Sequence, residues 1–276
     1  MKDWLKVQRG DAPVVLSMPH TGTAIPVEIE AQLVSPWLAR KDTDWWVDDL
    51  YEFAHELGIT LVRTAISRTV VDVNRDPAGK SLYPGAHTTD LCPITTFDNE
   101  ALYLPGMNPD ATDIAQRLES YFVPYHAAIL CELERLGGTH PRVVLYDAHS
   151  IRSRIPRLFD GELPHFNIGT NGGESCSSDL HVAVEAMCAL SGFTVVTNGR
   201  FKGGWITRYY GEPARGVHAI QMELACRGYM REPAGAVSEA NWPPHYDAQY
   251  AAPLRGALRR VLEACIVFAS SPEEVE

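Results

Sequence analysis

Two histidines and one glutamate stand at or near the ends of three apolar runs in this chain. The first run, Val14-Val15-Leu16-Ser17-Met18, closes on Pro19-His20-Thr21-Gly22. The second, Val143-Val144-Leu145-Tyr146, closes on Asp147-Ala148-His149-Ser150. The third extends from Val217 to Leu224 and carries Glu223. Short apolar runs bounded by turn residues read as buried strands. Open α/β sheets bind ligands just beyond the carboxyl ends of such strands. Imidazoles and a carboxylate gathered there can hold a divalent metal that keeps one coordination position for water, the chemistry of metal-assisted hydrolysis.

Sites of this kind commonly take a carboxylate as a further ligand. The short His-x-x-Glu spacing fails here, because Thr23 stands where the glutamate would be. Glu28 lies too far along, which leaves Asp42 and Asp44. Asp42 suits a helix N-cap. Asp44 falls in the first turn of a helix expected over Trp45–Leu57, flanking the apolar face of Val47, Leu50, Tyr51, Ala54 and Leu57. There it can point inward, and the positive end of the helix favours its ionised form. Asp44 is preferred, with capping as its structural alternative.

Ile220, Met222 and Leu224 alternate, so Glu223 belongs to the other strand face. It is either a solvent-facing residue or a general base that takes a proton from water and hands it to a leaving amine. Arg68, Asn74 and Arg75 cluster in one segment, Arg68-Thr69-Val70-Val71-Asp72-Val73-Asn74-Arg75-Asp76-Pro77. A guanidinium there can stabilise an oxyanion or grip a carboxylate, or simply pair with Asp72 or Asp76. Arg208, beside the turn at Gly203-Gly204, is either a second carboxylate contact or a surface arginine.

Positioning these groups requires a layered α/β fold, and helical and strand-like patterns do alternate along the chain. Ile59–Ile66 reads as a strand. Ser67–Pro77 reads as a strand or loop. Ala78–Asp110 is irregular, as lids and site walls often are. Ile114–Leu136 is the strongest helix, with Pro124 expected to kink it. A polar loop, Ile151–Ser178, precedes a helix over Asp179–Leu190 and a strand over Phe193–Thr197. A last helix covers about Asp247–Phe268. With no linker, repeat or low-complexity tract, residues 1–276 read as one domain.

The bulk properties narrow the function. A hydrophobic content of 45% with 21% charged residues fits a globular domain with a sizeable core. A net charge of −11 argues against nucleic acid or an anionic membrane as partner. A small anionic substrate would need arginines concentrated locally. The six cysteines form no Cys-x-x-Cys pair and read as free buried thiols. The start lacks a signal-like apolar stretch, and no window reaches the roughly 18 apolar residues of a membrane helix. A reduced, cytoplasmic protein is expected.

The motifs Ser17-Met18-Pro19-His20-Thr21-Gly22, Asp42-Thr43-Asp44-Trp45, Asp72-Val73-Asn74-Arg75-Asp76-Pro77, Tyr83-Pro84-Gly85, Asp147-Ala148-His149-Ser150 and Asn167-Ile168-Gly169-Thr170-Asn171-Gly172 together resemble the N-formylglutamate amidohydrolase family. That family is similar to the zinc carboxypeptidases and aspartoacylases, and the order first histidine, Arg…Asn-Arg, second histidine, late glutamate follows theirs. The resemblance implies a single-domain, three-layer α/β/α fold with a central mixed sheet, phosphorylase/hydrolase-like and zinc carboxypeptidase-like. It implies His20 and His149 as ligands of one divalent ion, zinc by preference, although cobalt, iron or manganese also suit such donors. It makes Glu223 the general base, has Arg68 polarise the carbonyl, and lets Asn74 and Arg75 grip a substrate carboxylate. The third ligand does not follow from it, since the glutamate after the first histidine is missing; Asp44 rests on the helix argument. The implied reaction is hydrolysis of N-formyl-L-glutamate to formate and L-glutamate, the last step of one histidine-degradation route.

Three other readings stay open at this level. The same site would serve a hydrolase of another N-acyl amino acid or small peptide. A metal-free hydrolase would use Ser150 or a cysteine beside His149, though no Gly-x-Ser-x-Gly is present. A binding protein for acidic amino acids would use the arginines but has no need of His20, His149 and Glu223 together.

Overall fold

The run Val14–Met18 is buried along its whole length, as a strand covered on both faces must be. In the computed structural model, which describes residues 3–82, 85 and 88–271, it lies near the middle of a seven-stranded mixed sheet. Tyr83 and Pro84 of the Tyr83-Pro84-Gly85 motif fall outside the described residues. The strands are β1 (Leu5–Gln8), β2 (Val14–Met18), β3 (Thr60–Thr64), β4 (Val143–Ile151), β5 (Phe166–Gly169), β6 (Val195–Thr197) and β7 (Val217–Ala225), in the order β1-β3-β2-β4-β7-β5-β6. Pairing is parallel across β3, β2, β4 and β7, and antiparallel where β1 meets β3 and β5 meets β7. The helices are α1 (Val27–Glu30), α2 (Val47–Leu50), α3 (Ala111–Arg117), α4 (Val123–Gly137), α5 (Ser178–Ala189), α6 (Trp205–Tyr210) and α7 (Ala248–Ser270).

Strand parity sorts the core into two apolar layers. Leu16, Tyr146, Ile220 and Met222 pack against Leu180 and Val184 of α5 and Leu258 and Val261 of α7. Val15, Leu145 and Ala219 face the other way, against Tyr125, Ile129 and Leu133 of α4 and Ile206 of α6. Each fully buried side chain of this size contributes about 1.5–3 kcal/mol. Along this second face the chemistry changes toward the carboxyl ends. Val15 is followed by Ser17, Leu145 by Asp147 and His149, and Ala219 by Gln221 and Glu223. The parallel register puts Ser17 opposite Asp147, Asp147 opposite Gln221, and His149 opposite Glu223. A polar floor therefore forms where three central strands end.

Several elements differ from expectation. Trp45–Leu57 does not form one helix: Trp46 takes a left-handed conformation (φ 64°), and only the α2 turn and a 3-10 segment, Glu52–Leu57, follow. The Trp46 indole is held instead by the Pro244 carbonyl (2.9 Å), so tertiary anchoring overrides helical periodicity. The polar stretch Ile151–Ser178 contains β5, too short for alternation to show. β4 continues to Ile151, which makes Asp147 and His149 strand residues rather than loop residues. Pro124 does not interrupt its helix, because one wider π turn, Leu118–Phe122, joins α3 to α4 just before it. Five of the free cysteines are buried and Cys131 is exposed. Among the described residues no helix is long and apolar enough to cross a membrane.

Candidate active site

The chain leaves β2 at Met18 and turns at His20. Gly22 then passes against the Ala65–Ile66 backbone, where a Cβ would lie 2.3–2.6 Å from main-chain atoms. The backbone N–H of Asp44 donates to the His20 carbonyl (3.0 Å), which fixes the aspartate beside the imidazole. His149 arrives from β4. Asp44 Oδ2 is 3.1 Å from His149 Nδ1 and 3.6 Å from His20 Nδ1, and one ligand atom from each of the three residues can be chosen with all within 4.8 Å. Bonds of 2.0–2.1 Å to a tetrahedral ion imply ligand separations of about 3.4 Å. His20 Nδ1 is buried with no hydrogen-bond partner. The donor set and spacing fit a divalent cation.

Behind the three side chains stand two more carboxylates. His20 Nε2 donates to Asp72 Oδ1 (2.6 Å) and His149 Nε2 donates to Asp147 Oδ2 (2.8 Å). Such carboxylate–imidazole pairs fix ring orientation and tautomer, and raise the basicity of the opposite nitrogen. Asp147 also accepts from Ser17 Oγ (3.0 Å) and from Asn74 Nδ2 (3.1 Å). Burial pushes the Asp44 carboxyl up, yet the hydrogen bond to His149 and the attraction of both imidazoles outweigh it and hold Asp44 below the usual range. Burial likewise disfavours the His149 cation, but Asp147 and Asp44 raise its proton affinity well above the ordinary value. Three buried carboxylates around two imidazoles favour positive charge between them, whether carried by a proton or by a metal.

Glu223 sits next to His149 across the sheet, only 8% exposed. Burial raises its carboxyl to about 8, helped by Asp44 and Asp147 and opposed by His149 and Arg68. Gln221 Nε2 donates to Glu223 Oε2 (3.3 Å), and the Gly204 N–H donates to Gln221 Oε1 (2.6 Å), which fixes the amide's direction. Arg68 Nη2 donates to Asp72 Oδ2 (2.6 Å), and Nη1 lies 3.7 Å from Asp44 Oδ1. The Arg75 guanidinium donates to the Thr89 carbonyl, the Asn74 carbonyl and Thr89 Oγ1.

His20, Arg68, Asn74, Arg75, His149 and Glu223 all line one cleft, with Asp44 buried beside the imidazoles. Asn74 is committed to protein partners: Oδ1 accepts from the Ile206 N–H (2.8 Å), and Nδ2 serves Asp147. Gly204 must be glycine there, since a Cβ would fall 2.4–2.6 Å from the Asn74 amide. Arg208 is not among the cleft residues; its Nε donates to the Gly203 carbonyl (2.9 Å), and the third arginine of the cleft is Arg200. Asp42 is not one of the three clustered residues; it accepts from the Phe97 N–H (2.6 Å) and pairs with Arg152 (3.2 Å), while Glu28 is exposed on α1. Ser150 Oγ bonds the Tyr229 hydroxyl (2.8 Å) and has no hydrogen bond to His149 among the described residues, unlike an activated serine. Sequence reasoning missed Asp147 and Gln221. Both stand two residues before a candidate on the same strand, hence on the same face. It treated Asp72 only as an ion-pair partner of Arg75, and Arg200 carried no local signal.

The chain matches the family model described as N-formylglutamate amidohydrolase over residues 12–230. It is 45% identical over 269 residues to an N-formylglutamate deformylase of Pseudomonas aeruginosa, covering 97% of this chain and 98% of that one. It is 41% identical over 265 residues to an N-formylglutamate deformylase of Pseudomonas putida, covering 96% of each. In fold it is similar to the crystal structure of an N-formylglutamate amidohydrolase from Ralstonia eutropha JMP134, with a TM-score of 0.75 at 23% identity over 96% of this chain and 97% of that one. The extent of these matches places the chain in the N-formylglutamate amidohydrolase family.

Proposed function

We propose that this protein hydrolyses N-formyl-L-glutamate to formate and L-glutamate, as the final, glutamate-releasing step of a histidine-degradation route. The observation that carries the reading is the convergence of His20, Asp44 and His149 beside Glu223 and Arg68 in a cleft with two further arginines. It is supported by the names of relatives more than 40% identical over nearly the whole chain. His20, Asp44 and His149 would hold one divalent metal, zinc by preference. Bound there, the metal would supply Lewis acidity and lower the pKa of water toward 7.

The chain's own groups do the rest. Arg68, positively charged at any working pH, donates to the carbonyl oxygen as negative charge develops there. Glu223, which a divalent cation beside it would keep ionised, collects the proton of the attacking water and delivers it to the departing nitrogen. Gln221 keeps one Glu223 oxygen directed and leaves the other for that transfer. Asp72 and Asp147 hold the imidazoles, and Asn74 steadies Asp147. Arg75 and Arg200 are the groups assigned to the substrate's two carboxylates. Arg208 donates from Nε to the carbonyl of the Gly203 turn beside them.

A panel of N-acyl amino acids assayed on chelator-treated and zinc-restored protein tests the reading. The expected result is zinc-dependent release of formate, with N-formylglutamate giving the highest kcat/KM. Preference for a large acyl group or a neutral amino acid would overturn the substrate; undiminished activity after chelation would overturn the metal.

A further inference from the structure

The wall of the cleft nearest Arg68 is apolar. Phe97 forms it, with the ring centre 4.9 Å from the Arg68 guanidinium carbon, while Ile151, Leu158 and Phe201 also line the cleft, the last two at Arg200, which donates to the Leu158 carbonyl (2.7 Å) and lies over the Phe201 ring (5.2 Å). Phe97 is otherwise buried, packed with Ile151, Ile155, Leu163 and Ala225. We infer that Phe97 is the residue that limits the acyl group to a formyl, an inference that rests on the deformylase reading above.

The argument is geometric. A carbonyl oxygen held by Arg68 lies about 2.9 Å from a guanidinium nitrogen. The next atom of the acyl group, if there is one, lies about 2.4 Å from that oxygen, given ordinary C=O and C–C bond lengths. An acyl substituent is thus confined to the few ångströms around Arg68 that Phe97 occupies. The other side of the scissile bond carries two carboxylates, which would lose their water without gaining partners against the Phe97 ring. That side belongs with Arg75, Thr89 and Arg200, which leaves the acyl end facing the ring.

A size filter needs a wall that does not retreat. The Phe97 N–H donates to Asp42 Oδ2 (2.6 Å), and its turn is closed by the Thr96 N–H donating to the Glu100 carbonyl (2.9 Å). Next in the chain, Asp98 pairs with Lys41 (2.6 Å) and Arg152 (2.7 Å), both buried, and Arg152 also reaches Asp42 (3.2 Å). This network ties the Phe97 turn to the segment that carries Asp44 and to the strand that carries His149. A methyl forced against such a wall changes selectivity by roughly 10–200-fold.

The test compares kcat/KM for N-formyl-, N-acetyl- and N-propionylglutamate in wild type, Phe97→Leu and Phe97→Ala. The acetyl-to-formyl ratio should rise at least tenfold in Phe97→Ala, with Phe97→Leu between it and wild type. If Phe97→Ala does not fold, the ratio in Phe97→Leu decides, and a threefold rise is expected. An unchanged ratio in folded variants of an active enzyme would overturn this inference alone. A wild type inactive on N-formylglutamate would overturn the deformylase reading and this inference with it.

Discussion

Asp72→Asn keeps side-chain shape and removes one negative charge from the centre of the site. Asp72 is completely buried and has four partners: His20 Nε2 (2.6 Å), Arg68 Nη2 (2.6 Å), the Asn74 N–H (2.9 Å) and Arg75 Nη2 (3.6 Å). Burial alone would raise its carboxyl, but Arg75, His20 and Arg68 hold it well below the ordinary value of 3.8. The substitution leaves the buried Arg68 with Asp44 at 3.7 Å as its nearest charge partner. Removing one member of a buried ion pair costs about 3–5 kcal/mol. At roughly 2–4 °C per kcal/mol for a chain near this size, Tm should fall by about 6–20 °C. Because the native value is lowered, this stabilisation is fully present above 3.8 and is lost as pH falls from there through the native value. Urea unfolding of chelator-treated wild type and variant should therefore differ by several kcal/mol at pH 7 and by about 1 kcal/mol less at pH 3, the gap closing further only as the pH falls toward the native value. Competition with a chromophoric chelator should also show metal affinity lowered by about 10–100-fold, since the His20 ring loses its anionic support. A stability difference under about 1 kcal/mol at pH 7, or one that persists unchanged at pH 3, would refute the electrostatic account of Asp72.

Three further outcomes follow from the geometry. Glu223→Gln should lower kcat for N-formylglutamate by about 10²–10⁴-fold while metal stoichiometry is retained, as read by formate release and elemental analysis. In metal-free wild type, Glu223 keeps a proton up to about 8 that the unfolded chain releases near 4.5, so its contribution to stability falls as pH rises between those values. Thermal melts of chelator-treated Glu223→Gln across that range should lose this downward slope. Arg75→Gln should raise KM far more than it lowers kcat, with kcat/KM reduced about 10–100-fold for the loss of charged hydrogen bonds to a carboxylate.

The sequence and structure agree most where periodicity is long or burial complete. β2 matches its apolar run residue for residue, and β7, α5 and α7 begin and end within a residue or two of the expected positions. They diverge where distant parts of the chain decide local form. The left-handed Trp46 answers to Pro244, and the four-residue β5 is held by β7 on one side and β6 on the other. The site divides in the same way. The sequence brings forward His20, His149 and Glu223 from their places at strand ends, and the structure brings them together; the helix on which the choice of Asp44 rests does not form. The hydrogen bond to His149 and the attraction of both imidazoles favour its charge instead. Asp147 was within reach of strand parity, as was Gln221. Asp72, Arg200 and Phe97 were not, because their roles depend on how loops after β3 and β6 and the 95–101 turn fold over the ends of β2 and β4.

The central claim is that segments remote in sequence converge on one divalent cation. Anomalous diffraction at the zinc edge, from crystals of zinc-loaded protein, tests it directly. The account predicts one strong peak per chain within about 2.0–2.2 Å of His20 Nδ1, His149 Nδ1 and an Asp44 oxygen. A peak elsewhere, or none in a protein that still deformylates its substrate, would contradict it.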